Sequence, residues 1–359
     1  MNTIKALFLS LLLALVFPAK DLQAQDQVQD QARRQHQTRD DQFAAADVQS
    51  LSITNRHGSI FYTGWDKEEV TVRVRIWVEA PNQTLAEEVL GLISVLQVPG
   101  GKQVDYRTVF ADEFFSNYPF GIDYHIYGPD TLGLKLINRL GKIQLENYKG
   151  RARVELNFGN FEISDEKSLP DSLQLQLTNG NLNLQQVRTA NIHHRNGKAT
   201  LAKAEQLQLQ ADFSTIHLKQ VQDLQLEATT SHLQIEEAAH IQGHTSNSDL
   251  EIAYLVRGGF LEMERGEIQI KRLSNALHEL TLAGSHTTMH LHTDKNMDYN
   301  LHGQIIDGKL HFPDSKQITI LRENNLLTFS AEAKQRPANR NAPALILLNN
   351  NSDIHVLNK

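Results

Sequence analysis

The chain has 359 residues, no cysteine, and a net charge of −7 with histidine neutral. Missing thiols exclude disulfides, thiolate metal sites and lipid attachment through cysteine. The acidic balance argues against a nucleic-acid partner, which rests on a basic patch, and the 40% hydrophobic content is ample for a core.

Residues 1–24 read as a signal peptide. Lys5 precedes an apolar run from Ala6 to Phe17, broken only by Ser10, and Leu22-Gln23-Ala24 supplies small-residue character before Gln25. The run is shorter than the roughly 20 residues that span a bilayer, but it fits a signal h-region. The alternative is an uncleaved anchor. No later stretch is apolar and long enough to cross a membrane, so the mature chain is expected to be exported: periplasmic, at the cell surface or secreted. Residues 25–44 are rich in Gln, Asp and Arg with little to bury, and are expected to be a disordered leader.

Residues 45–130 mix signals. Leu51/Ile53, Gly58 and Ile60/Tyr62 make a strand, a turn and a strand, and Val70–Ile76 alternates as another strand. Leu85, Ala86, Val89, Leu90, Ile93 and Leu96 recur at helical spacing between Asn82, a candidate N-cap, and Pro99-Gly100-Gly101. An aromatic-rich stretch then ends on the alternating strand Ile122–Tyr127. This α+β module is expected to cap the array that follows; Trp65, Trp77, Phe110, Phe114, Phe115, Tyr118 and Phe120 are read as its own core, with a sticky surface as the alternative.

Residues 131–332 carry the clearest pattern. The turn residues Gly141, Gly159, Gly180, Gly197, Ser214, Ser231, Ser248, Gly266, Thr287, Gly308 and Asn325 are separated by 18, 21, 17, 17, 17, 17, 18, 21, 21 and 17 residues. Two and four residues after each turn stands an apolar pair, from Ile143/Leu145 through Ile216/Leu218 to Leu327/Phe329. Seven and five residues before it there is usually another, such as Leu207/Leu209 or Ile318/Ile320. Each unit therefore reads as strand, tight turn, strand. One unit buries too little apolar surface to stand alone, and stacking at a fixed period merges the faces into one core. The expected fold is all-β: a parallel β-solenoid of two-strand rungs, with right-handed crossovers favoured. A β-sandwich meander would also alternate, but nothing in it keeps insertions outside a constant register. Residues 333–359 add a polar excursion (333–343) and a C-terminal rung, Leu345/Leu347, Ser352 and Ile354/Val356.

Three features together resemble a known family. They are Asn55-Arg56-His57-Gly58-Ser59-Ile60 with Gly64-Trp65-Asp66 after it, the approach Ile122-Asp123-Tyr124-His125-Ile126-Tyr127-Gly128-Pro129, and the iterated Asn/Gly turns. They resemble the "putative adhesin" β-solenoid family, domains of unknown function common in exported bacterial envelope proteins. The resemblance covers roughly residues 45 to 359. It implies a β-helix-like fold and export, and it brings no catalytic residues.

Two constellations could carry chemistry. Asp249 and Glu267 fall in one outward row on adjacent rungs, with Glu251 diagonal to them. Strands lie about 4.8 Å apart, so such carboxylates can reach the spacing of a glycosidase pair or hold Ca²⁺. A solvated face of an acidic protein is the plainer reading, since no basic or aromatic residues gather in those rows. Among 16 histidines, His290 and His311 share an outward row on adjacent rungs, with His292 two residues along and His286 at the turn. Imidazoles so placed suit Zn²⁺ or Cu²⁺, yet the scatter of the other histidines favours ordinary surface choices. No Gly-x-Ser-x-Gly, Walker-type loop or His-Glu-x-x-His occurs. The expected function is a non-enzymatic cell-envelope scaffold that binds envelope protein or polysaccharide, without a cofactor. The alternative is a polysaccharide hydrolase or lyase using Asp249, Glu251 and Glu267.

Overall fold

The computed structural model describes residues 33–313, 317–333 and 342–358. The expected signal peptide, the first part of the leader and most of the polar excursion lie outside the described residues. The N-terminal part contains β1 (Arg33–Ala44), β2 (Ser50–Arg56), β3 (Ile60–Trp65), β4 (Glu69–Ala80), α1 (Gln83–Leu90), β5 (Ile93–Gly100), β6 (Gln103–Phe110) and β7 (Phe120–Pro129). The central part contains β8 (Gly133–Glu146), β9 (Arg151–Ile163), β10 (Ser172–Thr178), β11 (Leu182–Thr229), β12 (His232–Ile270) and β13 (Glu279–Thr293). The C-terminal part contains β14 (Asn300–Ile306), β15 (Leu310–His311), β16 (Thr319–Glu323), β17 (Leu326–Ala331), β18 (Ala344–Asn350) and β19 (Ile354–Asn358). All 19 strands belong to one mixed sheet.

From β8 to β13 the pairing is parallel. Ile143 lies opposite Phe161, Leu173 opposite both Ala152 and Ala190, Ile216 opposite Leu233, and Ile268 opposite Met289. Alternation along each strand sends these apolar side chains to one side, and the residues between them to solvent. Leu173, Leu233, Ile235, Leu280 and Leu291 are among the fully buried ones.

At the aligned corners, the left-handed backbone falls one residue before the small residue that marks the turn in the sequence. Leu140, Phe158, Asn179, Asn196, Phe213, Thr230, Asn247, Arg265 and His286 all have φ between 48° and 66°. The small residue that follows serves a different need, the close approach of neighbouring backbones. A Cβ on Gly159 would lie 1.7 Å from the Gly141 carbonyl oxygen, and one on Gly180 1.7 Å from that of Gly159. Further along, serine fills this column and bonds within it. The Ser214 N–H donates to the Ser231 hydroxyl at 3.1 Å, and the Ser231 N–H to the Ser248 hydroxyl at 3.0 Å. His194 sits buried where glycines give way to serines, 2.8 Å from the Ser214 hydroxyl and 3.1 Å from the Gly180 carbonyl.

The N-terminal end departs from expectation twice. Residues Arg33–Ala44, expected within a disordered leader, form β1, which pairs antiparallel with β4 along its whole length. A solvated strand edge recruits polar sequence through backbone bonds and cross-strand charge: Arg73 donates to Asp40 at 2.6 Å. The helix expected to reach Leu96 ends at Leu90. Asn82 caps it as expected, accepting from the Leu85 N–H at 3.0 Å. Beyond Gly91, the β-branched Ile93, Val95 and Val98 favour extension, and β5 forms an antiparallel hairpin with β6. Strands β2 and β3 pair in parallel with β8 on one side, and with β6 and β7 on the other.

The C-terminal end departs more. The unit around Asn325, expected as a parallel rung, is an antiparallel hairpin: β16 pairs with β17, and β17 runs antiparallel to β14. The purely parallel arrangement expected through residue 332 is thus broken here. The final unit does not extend the stack beyond it. Strand β18 lies between β13 and β14, parallel to both, and β19 lies between β13 and β15. Leu345, Leu347, Ile354 and Val356 are completely buried there. At an outer edge they would be covered on one side only, so burial favours the inner slot.

Candidate functional site

Of the three candidate carboxylates, two are engaged with basic neighbours. Glu251 Oε1 lies 2.5 Å from Lys271 Nζ, and Glu267 Oε1 lies 3.7 Å from His290 Nε2. Asp249 is exposed. Gly266 packs on the Ser248 carbonyl, which makes Asp249 and Glu267 neighbours in the stack, as the sequence spacing implies.

The candidate histidines are divided. His290 and His311 do share a row, but not on adjacent strands: β19 places His355 between them. The three imidazoles stack, with centroids 4.6 Å apart for His290–His355 and 4.3 Å for His311–His355. Asp353 faces the same side as His355, and its Oδ2 lies 3.6 Å from His311 Nε2. Its Oδ1 accepts the Lys309 N–H at 2.8 Å, which orients the carboxylate. Burial, then the neighbouring His290 and His311, hold the His355 imidazole below its ordinary pKa, against the opposing pull of Asp353. His292 belongs elsewhere, in a groove.

That groove, of about 760 Å³, is open to solvent and crosses consecutive units just beyond their second apolar pair. Two adjacent rows line it. Gln220 lies opposite Glu237, and Lys219 and Glu236, one residue before them, line the groove as well. The Leu255–Leu273 bridge sets Tyr254 beside Arg272, and the Ile270–Leu291 pair sets Lys271 beside His292. The Arg272 guanidinium lies over the Tyr254 ring, 4.1 Å from its centroid. Ala253, the smallest side chain of its row, also lines the groove. Sequence reasoning missed this groove because its members are scattered singly. Reading two successive turn positions across the units, 219/220, 236/237, 253/254, 271/272 and 292/293, would have gathered them. Among the described residues, no helix is long and apolar enough to cross a membrane.

No protein-family profile matches the chain, and no curated protein is similar to it. Solved structures give distant likenesses. A "putative adhesin" from Parabacteroides distasonis is 10% identical, covering 71% of this chain and 97% of its own, with a TM-score of 0.38. A "putative cell adhesion protein" from Clostridium sporogenes is 7% identical, covering 90% and 100%, with a TM-score of 0.20. A "putative lipid binding protein", also from Parabacteroides distasonis, is 10% identical, covering 90% and 96%, with a TM-score of 0.32. Likeness at this level assigns the chain to no family.

Proposed function

We propose that the protein is an exported, non-enzymatic scaffold, wound as a β-solenoid, that binds a polysaccharide of the cell envelope along the groove at Tyr254. The observation that carries this reading is the groove itself: two in-register rows crossing five stacked units. At about 4.8 Å per strand, five units extend roughly 19 Å, the scale of an extended stretch of polymer rather than of a small metabolite. The Tyr254–Arg272 pair offers a planar platform for the face of a sugar ring, and the alternating Lys219, Glu236 and Lys271 offer donors and acceptors to hydroxyls. The hydrolase alternative gains little from its carboxylates, since Glu251 is held by Lys271 rather than facing a second acid.

Titration calorimetry of the purified protein against extracted envelope polysaccharides tests this. Binding should be saturable, and Tyr254→Ala should weaken it by about tenfold or more, the loss typical of a central aromatic contact. Absence of binding, or an unchanged affinity in Tyr254→Ala, would reject the groove as the site. Shortening of the polymer during incubation, abolished by Glu251→Gln or Glu267→Gln, would restore the enzymatic alternative.

A further inference from the structure

We propose that His311, Asp353 and His355 form a site for a borderline divalent cation of the Zn²⁺ type, which fastens β19 to β15. The site is separate from the groove and does not depend on its reading.

Each of the three residues offers one ligand atom, and these atoms all lie within 4.8 Å of one another. Two imidazoles and one carboxylate are the donor set that suits such a cation, and three protein ligands leave a position for water. Tetrahedral coordination at about 2.1 Å brings ligand atoms to roughly 3.4 Å from one another. Asp353 Oδ2 and His311 Nε2 are already 3.6 Å apart. The remaining closure falls to His311, the most exposed of the three, whose ring must turn out of its 4.3 Å stack on His355 to complete the site. Asp353 is pre-oriented, because the Lys309 N–H holds its other oxygen at 2.8 Å. Such outer bonds are what fix a metal ligand in place. Glu267 and His290 flank the cluster on the side of β13 and are 3.7 Å apart, an acid–imidazole pair beside the site.

The backbone explains why the three meet. Strand β19 enters the stack beside β15 and sets His355 opposite His311, and period-two alternation puts Asp353 on the same face. One ligand thus belongs to the inserted strand, one to the residue just before it and one to its neighbour. An ion here would cross-link the insertion, much as a disulfide would in a chain that has cysteines.

The test uses the untagged protein and Zn²⁺ alone. Titration calorimetry should show one saturable site, and Co²⁺ in its place should give the visible absorption of a tetrahedral nitrogen–oxygen complex. His355→Ala and Asp353→Asn should each weaken binding by about 10- to 100-fold or more, the scale on which even the loss of an outer partner is felt. His240→Ala, a half-buried imidazole near Asp223 in another part of the sheet, should leave it unchanged. Bound Zn²⁺ should also slow proteolysis within residues 344–358. Circular dichroism checks that the variants are folded, and His311→Ala, at the exposed rim, gives a further variant least prone to disturb the core. Binding that survives all three ligand substitutions, or absence of a saturable site up to millimolar Zn²⁺, overturns the proposal.

Discussion

The Ser231 N–H donates to the Ser248 hydroxyl at 3.0 Å, across 17 residues of sequence, and both side chains are buried. The Ser231 hydroxyl in turn accepts from the Ser214 N–H, and lies 3.1 Å from the Ala211 carbonyl and 2.9 Å from that of Thr229. The N–H groups of Ser214 and Ser231 are thus each satisfied by the next corner's serine, whose hydroxyl also donates to a carbonyl of its own corner. Ser231→Ala should therefore strand the Ser214 N–H in the interior and cost about 1–3 kcal/mol. Replacing the exposed Gln225 by Ala should cost less than about 0.5 kcal/mol. Urea denaturation of both variants decides it, and equal midpoints would show that the serine column contributes nothing.

A second expectation concerns acid. Burial holds the His194 imidazole below its ordinary pKa, with His193 adding to the effect and the Gly180 carbonyl opposing it. The unfolded chain therefore takes up a proton first as pH falls through about 6.5. Stability is then lost from that point downward, until the folded imidazole itself titrates. His194→Asn should flatten this part of the profile while lowering stability near pH 7.5. Urea midpoints measured from about pH 7.5 to 5 should converge for the two proteins. Parallel profiles would place the acid sensitivity elsewhere.

Phe213 offers a stabilising change. It has φ 50° and is 55% exposed, so an aromatic residue occupies backbone that costs an L-residue about 1–2 kcal/mol. Its visible contact is Arg195, 6.0 Å from the ring. Phe213→Gly should raise stability by about 0.5–1 kcal/mol, and Phe213→Asn by somewhat less. A fall in melting temperature for both would mean that the ring packs more productively than its exposure implies.

The stack also sets rules for deletion. Leu224 lies opposite Ile241, so residues 207–240 comprise two 17-residue steps, and their removal joins Gln206 to Ile241 with inward and outward faces preserved. The shortened protein should fold with a β-type circular dichroism spectrum and a lower melting temperature. It loses Lys219 and Glu236, so polysaccharide binding should weaken, while Zn²⁺ binding at residues 311, 353 and 355 should persist. A 26-residue deletion from Leu207 sets corners against strands and should aggregate. Identical behaviour of the two deletions would refute the independence of stacked units.

Much of this was legible in the sequence, for a definite reason. Inward pairs such as Ile216/Leu218 and Leu233/Ile235 recur at the corner spacing, and the structure sets them opposite one another. Strand direction was less legible, because alternation is the same whichever way a strand runs. Leu327 and Phe329 are buried in the antiparallel β17 as they would be in a parallel rung. The histidine cluster was half legible. His290 and His311 fall in one row by register, but nothing local in Ser352–Val356 states which two strands it will separate. The groove was hidden for another reason. Tyr254 and Arg272 look unremarkable singly, and their meaning lies in what stands one unit away.

The slot occupied by β18 and β19 imposes an order of events on a chain that is made from one end. The strands on both sides of the gap, β13 and β14, emerge before the strands that fill it. Until residues 344–358 arrive, two unpaired strand edges border a breach able to admit any extended segment of suitable pattern, including the same segment from another molecule. Assembly of this part of the sheet therefore waits for residues 344–358. A molecule whose synthesis stalls before that point is left with an adhesive wound rather than a finished wall.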